Sequence, residues 1–332
     1  MTTPDSDVSS AALVAVADIR AAAERIRGIA VVTPLISISR GADLAGPRPL
    51  FLKCEHLQPM GAFKMRGAGN FLAQLTPEAR AAGVITYSSG NHGQAVALAA
   101  QRLGLRCVVV MPETAPRVKV DGVRGYGGEV IFAGTTSVDR KTRAEAEAAA
   151  RRLTIVPPFD HPWIIAGAGT CGLEILEQCP DVTAIYVPVG GGGLLSGVST
   201  VAKALRPGVR VIGVEPAGAA KLTASRAMGR PVRLEKTASI ADGLLTLQPG
   251  SLTFAHIQAF VDEIVTVEEH EIAGAVGWLF REAQIVAEPS GAASVAAVLK
   301  TGTSIPADTV AVISGGNVSP EDHDRYVNHS LH

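Results

Sequence analysis

Short apolar runs of strand length alternate with helical patterns through most of this chain, and glycines gather where a strand hands over to a helix. Val84–Tyr87 leads into a helical pattern over 91–103, Arg106–Met111 into one around 116–124, and Glu129–Ala133 into a charged one over 137–152. A second series runs from Ala184–Val189 through 193–205, Arg210–Val214 and 217–228, and Val310–Ser314 closes it. An Ala-rich stretch over 11–28, read as a long helix, precedes both. Strands that alternate with helices predict parallel sheet covered by helices. In such sheets ligands bind at the end where strands give way to helices, and the glycine turns lie there.

The bulk numbers narrow the class. The chain has 332 residues, 47% hydrophobic and 18% charged, with a formal charge of −1. A chain of this length buries about three quarters of its unfolded surface, enough for two domains or lobes. Near-zero charge without a basic block argues against nucleic acid or an anionic membrane as partner. No apolar run approaches the roughly 20 residues of a membrane helix. Met1–Ser10 is polar and acidic, without the Lys or Arg that opens a secretory signal. The cysteines Cys54, Cys107, Cys171 and Cys179 form no C-x-x-C pair. Cys171 and Cys179 fall about 12 Å apart along a helix, too far for a bridge. A reducing cytoplasm is the expected compartment.

Four punctuations carry the chemistry. Gly61-Ala62-Phe63-Lys64-Met65-Arg66-Gly67 places a lysine among small and apolar residues just before a helix. A desolvated amine loses its proton more easily and becomes a carbonyl nucleophile and a base, although an isolated lysine of this kind also reads as ion-paired or snorkelling. Ser88-Ser89-Gly90-Asn91-His92 opens a helix, which suits either an N-cap or backbone capture of a carboxylate. Gly190-Gly191-Gly192-Gly193-Leu194 follows a strand and opens a helix, so its N–H groups can converge on one phosphate. A dinucleotide site is the competing reading, with Glu215 after the next strand; the G-x-G-x-x-G spacing from Gly191, however, falls on Ser196. Ser314-Gly315-Gly316-Asn317 ends the last strand-like run.

Taken in this order, the four motifs resemble the fold type II pyridoxal-phosphate enzymes, the serine/threonine dehydratases and serine racemases, from about residue 20 to about residue 320. The resemblance implies an α/β fold of two lobes, like the tryptophan synthase β subunit, with parallel-rich sheets flanked by helices. Residues 83–160 would form the small domain, and 1–82 with 161–332 the large cofactor-binding domain. It further implies that Lys64 carries pyridoxal 5'-phosphate covalently and acts as the base at Cα. Phe63 would pack on the cofactor ring, Asn91 would bond its hydroxyl, and Ser314 would face the pyridine nitrogen. Gly190, Gly191, Gly192, Gly193 and Leu194 would hold the phosphate. Ser88, Ser89, Gly90, Asn91 and His92 would receive the substrate carboxylate. A serine at 314 cannot pair with a charged pyridinium as an aspartate would, which favours β-elimination over transamination.

Ser89 matches the serine that racemases use as acid–base opposite the lysine, and it reads equally as a plain donor to the carboxylate. Arg140 aligns with a racemase arginine that contacts a substrate-side carboxylate, but its helix also reads as an ordinary solvated face. Glu215, Ala219 and Lys221 fall where relatives bind a cation. A lysine there brings its own ammonium, so no metal is expected and Lys221 is expected to pair with Glu215. The leading expectation is a dehydratase that converts a β-hydroxy amino acid, such as serine or threonine, to a 2-oxo acid and ammonia. A serine racemase or 3-hydroxyaspartate dehydratase using Lys64 and Ser89 on opposite faces is the alternative. A non-catalytic cofactor carrier or small-molecule-binding regulator is the reading from another class. By analogy the chain is expected to be a homodimer.

Overall fold

The β-branched runs separate into two sheets in the computed structural model, which describes residues 12–38, 50–88, 90–115, 117–302 and 305–328. In chain order the strands are β1 (Leu35–Ile38), β2 (Leu50–Lys53), β3 (Val84–Tyr87), β4 (Cys107–Met111) and β5 (Glu129–Phe132). They continue with β6 (Thr154–Ile155), β7 (Ala184–Pro188), β8 (Arg210–Pro216), β9 (Glu263–Val267) and β10 (Thr309–Val312). Six strands form one sheet in the order β1-β2-β10-β7-β8-β9, and four form the other in the order β5-β4-β3-β6. Every pairing is parallel except β1 with β2, which is antiparallel at an edge.

Strand periodicity explains why both faces of the larger sheet are covered. Ala184 and Tyr186 of β7 face one apolar cluster together with Ile212, Val214 and Ala311. Ile185 and Val187 face a second cluster with Val211, Val310 and Val312. Alternate residues point to opposite faces, so apolar residues at every position mark a strand buried on both sides. The smaller sheet repeats the pattern, with Val84, Cys107 and Val109 on one side and Ile85, Val108 and Val110 on the other. All four cysteines are buried and free.

The helices over 91–103 and 193–205 fall where the periodicity placed them. Two others differ. The first helix runs only over Val16–Arg25, because Asp18 accepts the Ala15 N–H at 2.9 Å and fixes the start there. The stretch over 217–228 splits into a single turn at Ala217–Ala219 and a helix at Lys221–Met228. Glu215 sets that break by accepting the N–H groups of Leu222 at 3.0 Å and Thr223 at 2.8 Å. A carboxylate at a helix start satisfies donors that have no partner within the helix.

The parallel sheets put their strand ends to use. β3 delivers Ser88 and leads to Gly90–His92, β7 delivers Gly190–Gly193 and β10 delivers Ser314–Asn317. Among the described residues no helix is long and apolar enough to cross a membrane.

Candidate active site

Lys64 is the first residue of the helix Lys64–Ala73. The turn before it is zipped to the strand end of β10: Phe63 donates its N–H to the Ser314 carbonyl at 3.0 Å, and Gly316 donates to Gly61 O at 2.9 Å. Gly61 sits at φ +84°, a left-handed conformation that other residues adopt only with strain. The Lys64 amine donates to Pro158 O at 2.7 Å and lies 5.2 Å from the Phe63 ring centre. Among the described residues no carboxylate pairs with it. Burial lowers its pKa to about 8. About a fifth of this amine is therefore neutral near pH 7.4, far more than for a solvated lysine, and the neutral form is what a nucleophile or base requires.

Two residues along the same helix lies the opposite kind of cation. Arg66 is buried and bidentate to Glu55, Nε to Oε2 and Nη2 to Oε1, both at 2.7 Å. It also reaches Glu174 at 2.6 and 2.7 Å and Thr170 at 3.0 Å. Buried Lys53 donates to the same Glu174 at 2.6 Å and to Thr33 O at 2.7 Å. Burial alone would raise the Glu55 carboxyl, but Arg66 and Thr33 hold it below its usual range. Buried charges of this kind persist only when each is paired and hydrogen-bonded. The network ties the helix that carries Lys64 to the segments at 53–55 and 174.

The second wall is polar and collects distant segments. Asn91, first in its helix, donates to Glu288 Oε1 at 2.5 Å and accepts from Asn317 Nδ2 at 2.8 Å. Asn317 Nδ2 also reaches Met60 O at 2.9 Å. Gly315 backs onto this group so closely that a Cβ would lie 2.2 Å from Glu288 Oε1. Burial and the nearby Asp242 push the Glu288 carboxyl up to about 8, against the pull of Lys119 and Asn91. Lys119 is ion-paired with Asp242, and its amine lies 3.4 Å from where a Cβ on Gly90 would stand. The sequence marks Asn317 only as the end of the Ser314–Asn317 motif and gives no site role to Glu288 or Lys119. The signal was weak, because acid, amide and lysine side chains are ordinary at helix starts and on helices.

The glycine loop forms the third wall. Gly192 has φ +102°, and the helix Gly193–Leu205 starts without a side-chain cap. Its first N–H groups are thus left for another acceptor. A Cβ on Gly191 would stand 2.2 Å from the Phe159 ring. Pro158 and Phe159 consecutively touch Lys64 and the glycine loop, which links the two walls through one dipeptide. Thr253 Oγ1 donates to Gly191 O at 2.8 Å and steadies the loop.

The remaining expected residues divide. Ser314 is buried, with Oγ 3.4 Å from Ser290 O. Ser88 Oγ accepts the Gly90 N–H at 3.1 Å, an N-terminal turn within the loop. The His92 ring is buried against Val156 O at 3.2 Å, and burial lowers its pKa to about 3. Any substrate contact from this residue therefore runs through its backbone. Arg140 donates to Thr135 O at 3.4 Å, while its Nε is buried without a partner among the described residues. Ser89 lies outside the described residues.

Comparison with known proteins agrees with this geometry. The model of the family described as "Pyridoxal-phosphate dependent enzyme" matches residues 26–316. An L-threonine ammonia-lyase of Thermotoga maritima is 41% identical over 319 residues, covering 96% of this chain and 79% of that protein. A biosynthetic L-threonine dehydratase of Pasteurella multocida is 41% identical over 298 residues, 89% of this chain, but the chain spans only 58% of that relative's length. Among solved structures, maize serine racemase superposes with a TM-score of 0.90 at 36% identity, over 94% of this chain and 96% of that one. A partly neutral, half-buried lysine, an uncapped glycine loop and these matches lead to one conclusion: the chain belongs to the pyridoxal-phosphate-dependent enzyme family, with the α/β architecture of fold type II.

Proposed function

We propose that this protein is a dehydratase that eliminates water from a β-hydroxy amino acid of the L-threonine or L-serine type, giving a 2-oxo acid and ammonia. The observation that carries the reading is the Lys64 amine, half-buried, unpaired by any carboxylate among the described residues, and with a pKa near 8. The residues fit the cofactor: the loop Gly190–Gly193 offers uncapped N–H groups suited to a phosphate, and Lys64 offers an amine suited to an aldehyde. Bound pyridoxal phosphate supplies an electron sink for the pair left behind when the Cα proton departs.

The side chains of this protein do the rest. Lys64 accepts the Cα proton at Nζ. The loop Ser88–His92 holds the substrate carboxylate through backbone N–H groups at the start of its helix. Asn91, fixed by Glu288 and Asn317, and Phe63, fixed by the Ser314 carbonyl, orient the reacting plane. Ser314 presents a neutral hydroxyl, which gives no ion pair to prolong carbanion character, so prompt loss of the β-hydroxyl is favoured. Departure of that hydroxyl with a proton as water leaves an enamine, which hydrolyses to the 2-oxo acid and ammonia.

The likeness to maize serine racemase supports a second reading, racemisation with Ser89 as acid–base on the face opposite Lys64. The same family reading implies 83–160 as a small domain, 1–82 with 161–332 as the large one, and a homodimer; the cysteine usage suits a reducing cytoplasm, and Lys221 at the relatives' cation position makes a required metal unexpected. A panel of L- and D-serine, L- and D-threonine and both 3-hydroxyaspartate diastereomers, scored together for 2-oxo acid and chirality, tests the proposal. Elimination from at least one L-β-hydroxy amino acid is expected; absence of 2-oxo acid from all would overturn it. Ser89→Ala separates the two readings, since a two-face racemase loses D-product while elimination survives.

A further inference from the structure

Lys221 is among the largest fully buried side chains of the protein, and the reaction outlined above gives it nothing to do. It opens the helix Lys221–Met228, and its Nζ donates to three backbone carbonyls: Val189 and Ala219 at 3.1 Å and Leu244 at 3.2 Å. An ammonium has three protons, so all three are used. The Glu215 carboxylate stands 3.5 Å away and balances the charge, while spending its own hydrogen bonds on Leu222 and Thr223.

The positions of those carbonyls matter more than their number. Val189 is the residue before Gly190–Gly193. Leu244 ends the turn Asp242–Leu244, which also carries the partner of Lys119. The two segments touch, since a Cβ on Gly190 would lie 3.0 Å from Gly243 O. The second segment runs on toward the β10 end: Gly243 N–H donates to Ser290 Oγ at 2.9 Å, and Ser290 O takes Ser314 Oγ. One ammonium thus spans the root of the glycine loop and the segment that backs it.

We propose that Lys221 is a built-in cation, a positioning residue whose ammonium sets the glycine loop, and that the oxygen cage it leaves when truncated takes a potassium ion instead. Three neutral carbonyls and one carboxylate give the cage a single negative charge, which suits a monovalent ion. Divalent cations call for more negative charge and for oxygens only about 2.0–2.6 Å away, whereas these carbonyls stand 3.1–3.2 Å from the Lys221 nitrogen. The effect on cofactor binding rests on the reading of Gly190–Gly193 as the phosphate cradle; the brace itself does not.

The test compares wild type, Lys221→Ala and Lys221→Met in potassium chloride and in choline chloride at equal ionic strength. It measures pyridoxal phosphate and pyridoxal affinity by fluorescence, and thermal unfolding of the cofactor-free protein. Wild type is expected to be indifferent to the cation. Lys221→Ala in choline should bind pyridoxal phosphate about ten- to a hundredfold more weakly, as loss of a supporting contact around a bound group typically does. Its midpoint of unfolding should also fall, and potassium should restore both quantities. Lys221→Met fills the space without a donor, so it should bind weakly in both salts.

Lys221→Ala with wild-type affinity in choline overturns the proposal, as does a loss that potassium leaves unrepaired. Failure to fold in choline alone is the extreme form of the expected result, whereas failure in both salts counts against the exchange. Wild-type affinity in Lys221→Met removes the brace. A wild type that binds pyridoxal as tightly as pyridoxal phosphate removes the cradle reading instead. The potassium-dependent unfolding of Lys221→Ala then still reports on the brace.

Discussion

Lys64 and Lys221 are both lysines at the first position of a helix, both drawn out of water, and their surroundings make opposite use of them. Lys221 spends its protons on three carbonyls and has Glu215 alongside. Lys64 has one carbonyl, from Pro158, and no carboxylate among the described residues. Burial lowers the pKa of both, but at Lys221 the Glu215 carboxylate opposes that shift. The lesson is that burial alone does not make a lysine reactive. Reactivity needs burial without compensation, and the protein provides it at one lysine while saturating the other. Lys53, salt-bridged to Glu174 at 2.6 Å, belongs with the saturated kind.

The sharpest way to break this contrast is to remove the uncompensated amine. Lys64→Ala should lower 2-oxo acid release by at least about 10³-fold, since base and attachment point vanish together. Its fold should survive, because among the described residues the amine makes one hydrogen bond, to Pro158 O. Activity near the wild-type rate would end the assignment of Lys64.

Breaking the compensated side should cost stability instead. Glu174→Gln leaves Lys53 and Arg66 sharing less negative charge in a buried site, and should destabilise by about 3–5 kcal/mol in denaturant unfolding. A change below about 1 kcal/mol would mean that water already screens the network.

The contrast predicts a pH dependence as well. With the Lys64 pKa near 8, capture of pyridoxal phosphate by the cofactor-free protein should accelerate as pH rises toward 8 and level off above it. Continued acceleration toward pH 10 would place the amine among ordinary solvated lysines.

The smallest effect concerns Glu288, whose carboxyl is pushed up to about 8 mainly by burial. Between its unfolded pKa near 4.5 and 8 the folded protein holds one more proton than the unfolded chain, so this group subtracts stability as pH rises through that window. In cofactor-free protein, Glu288→Gln should therefore gain in melting temperature relative to wild type from about pH 5 to about pH 8, with no further gain above. A pH-independent difference would show an ordinary carboxylate.

Much of the fold and of the site was legible because it is local. Strand runs followed by glycine turns announced β3, β7 and their helices, and Lys64, the glycine loop and Ser314–Asn317 stood out as short motifs. The antiparallel edge strand β1 and the strand β9 were less visible, since they lie outside the alternating series and depend on sheet neighbours. Glu288 escaped because its meaning comes from Asn91, 197 residues away in sequence, and Asn317 meets Asn91 across 226. No local pattern encodes such a pairing.

The sequence by itself determined which residue types were on hand and where helices begin, because propensity, capping and strand periodicity act over a few neighbours. Tertiary structure decided how fully each charge is compensated. The resemblance already paired Lys221 with Glu215, and the structure keeps that pair at 3.5 Å; only packing added three carbonyls around Lys221, put Glu174 beside Lys53 and, among the described residues, left Lys64 with Pro158 O. Electrostatic energy depends on distance and solvent exclusion in three dimensions, and the order of residues along the chain fixes neither until it folds.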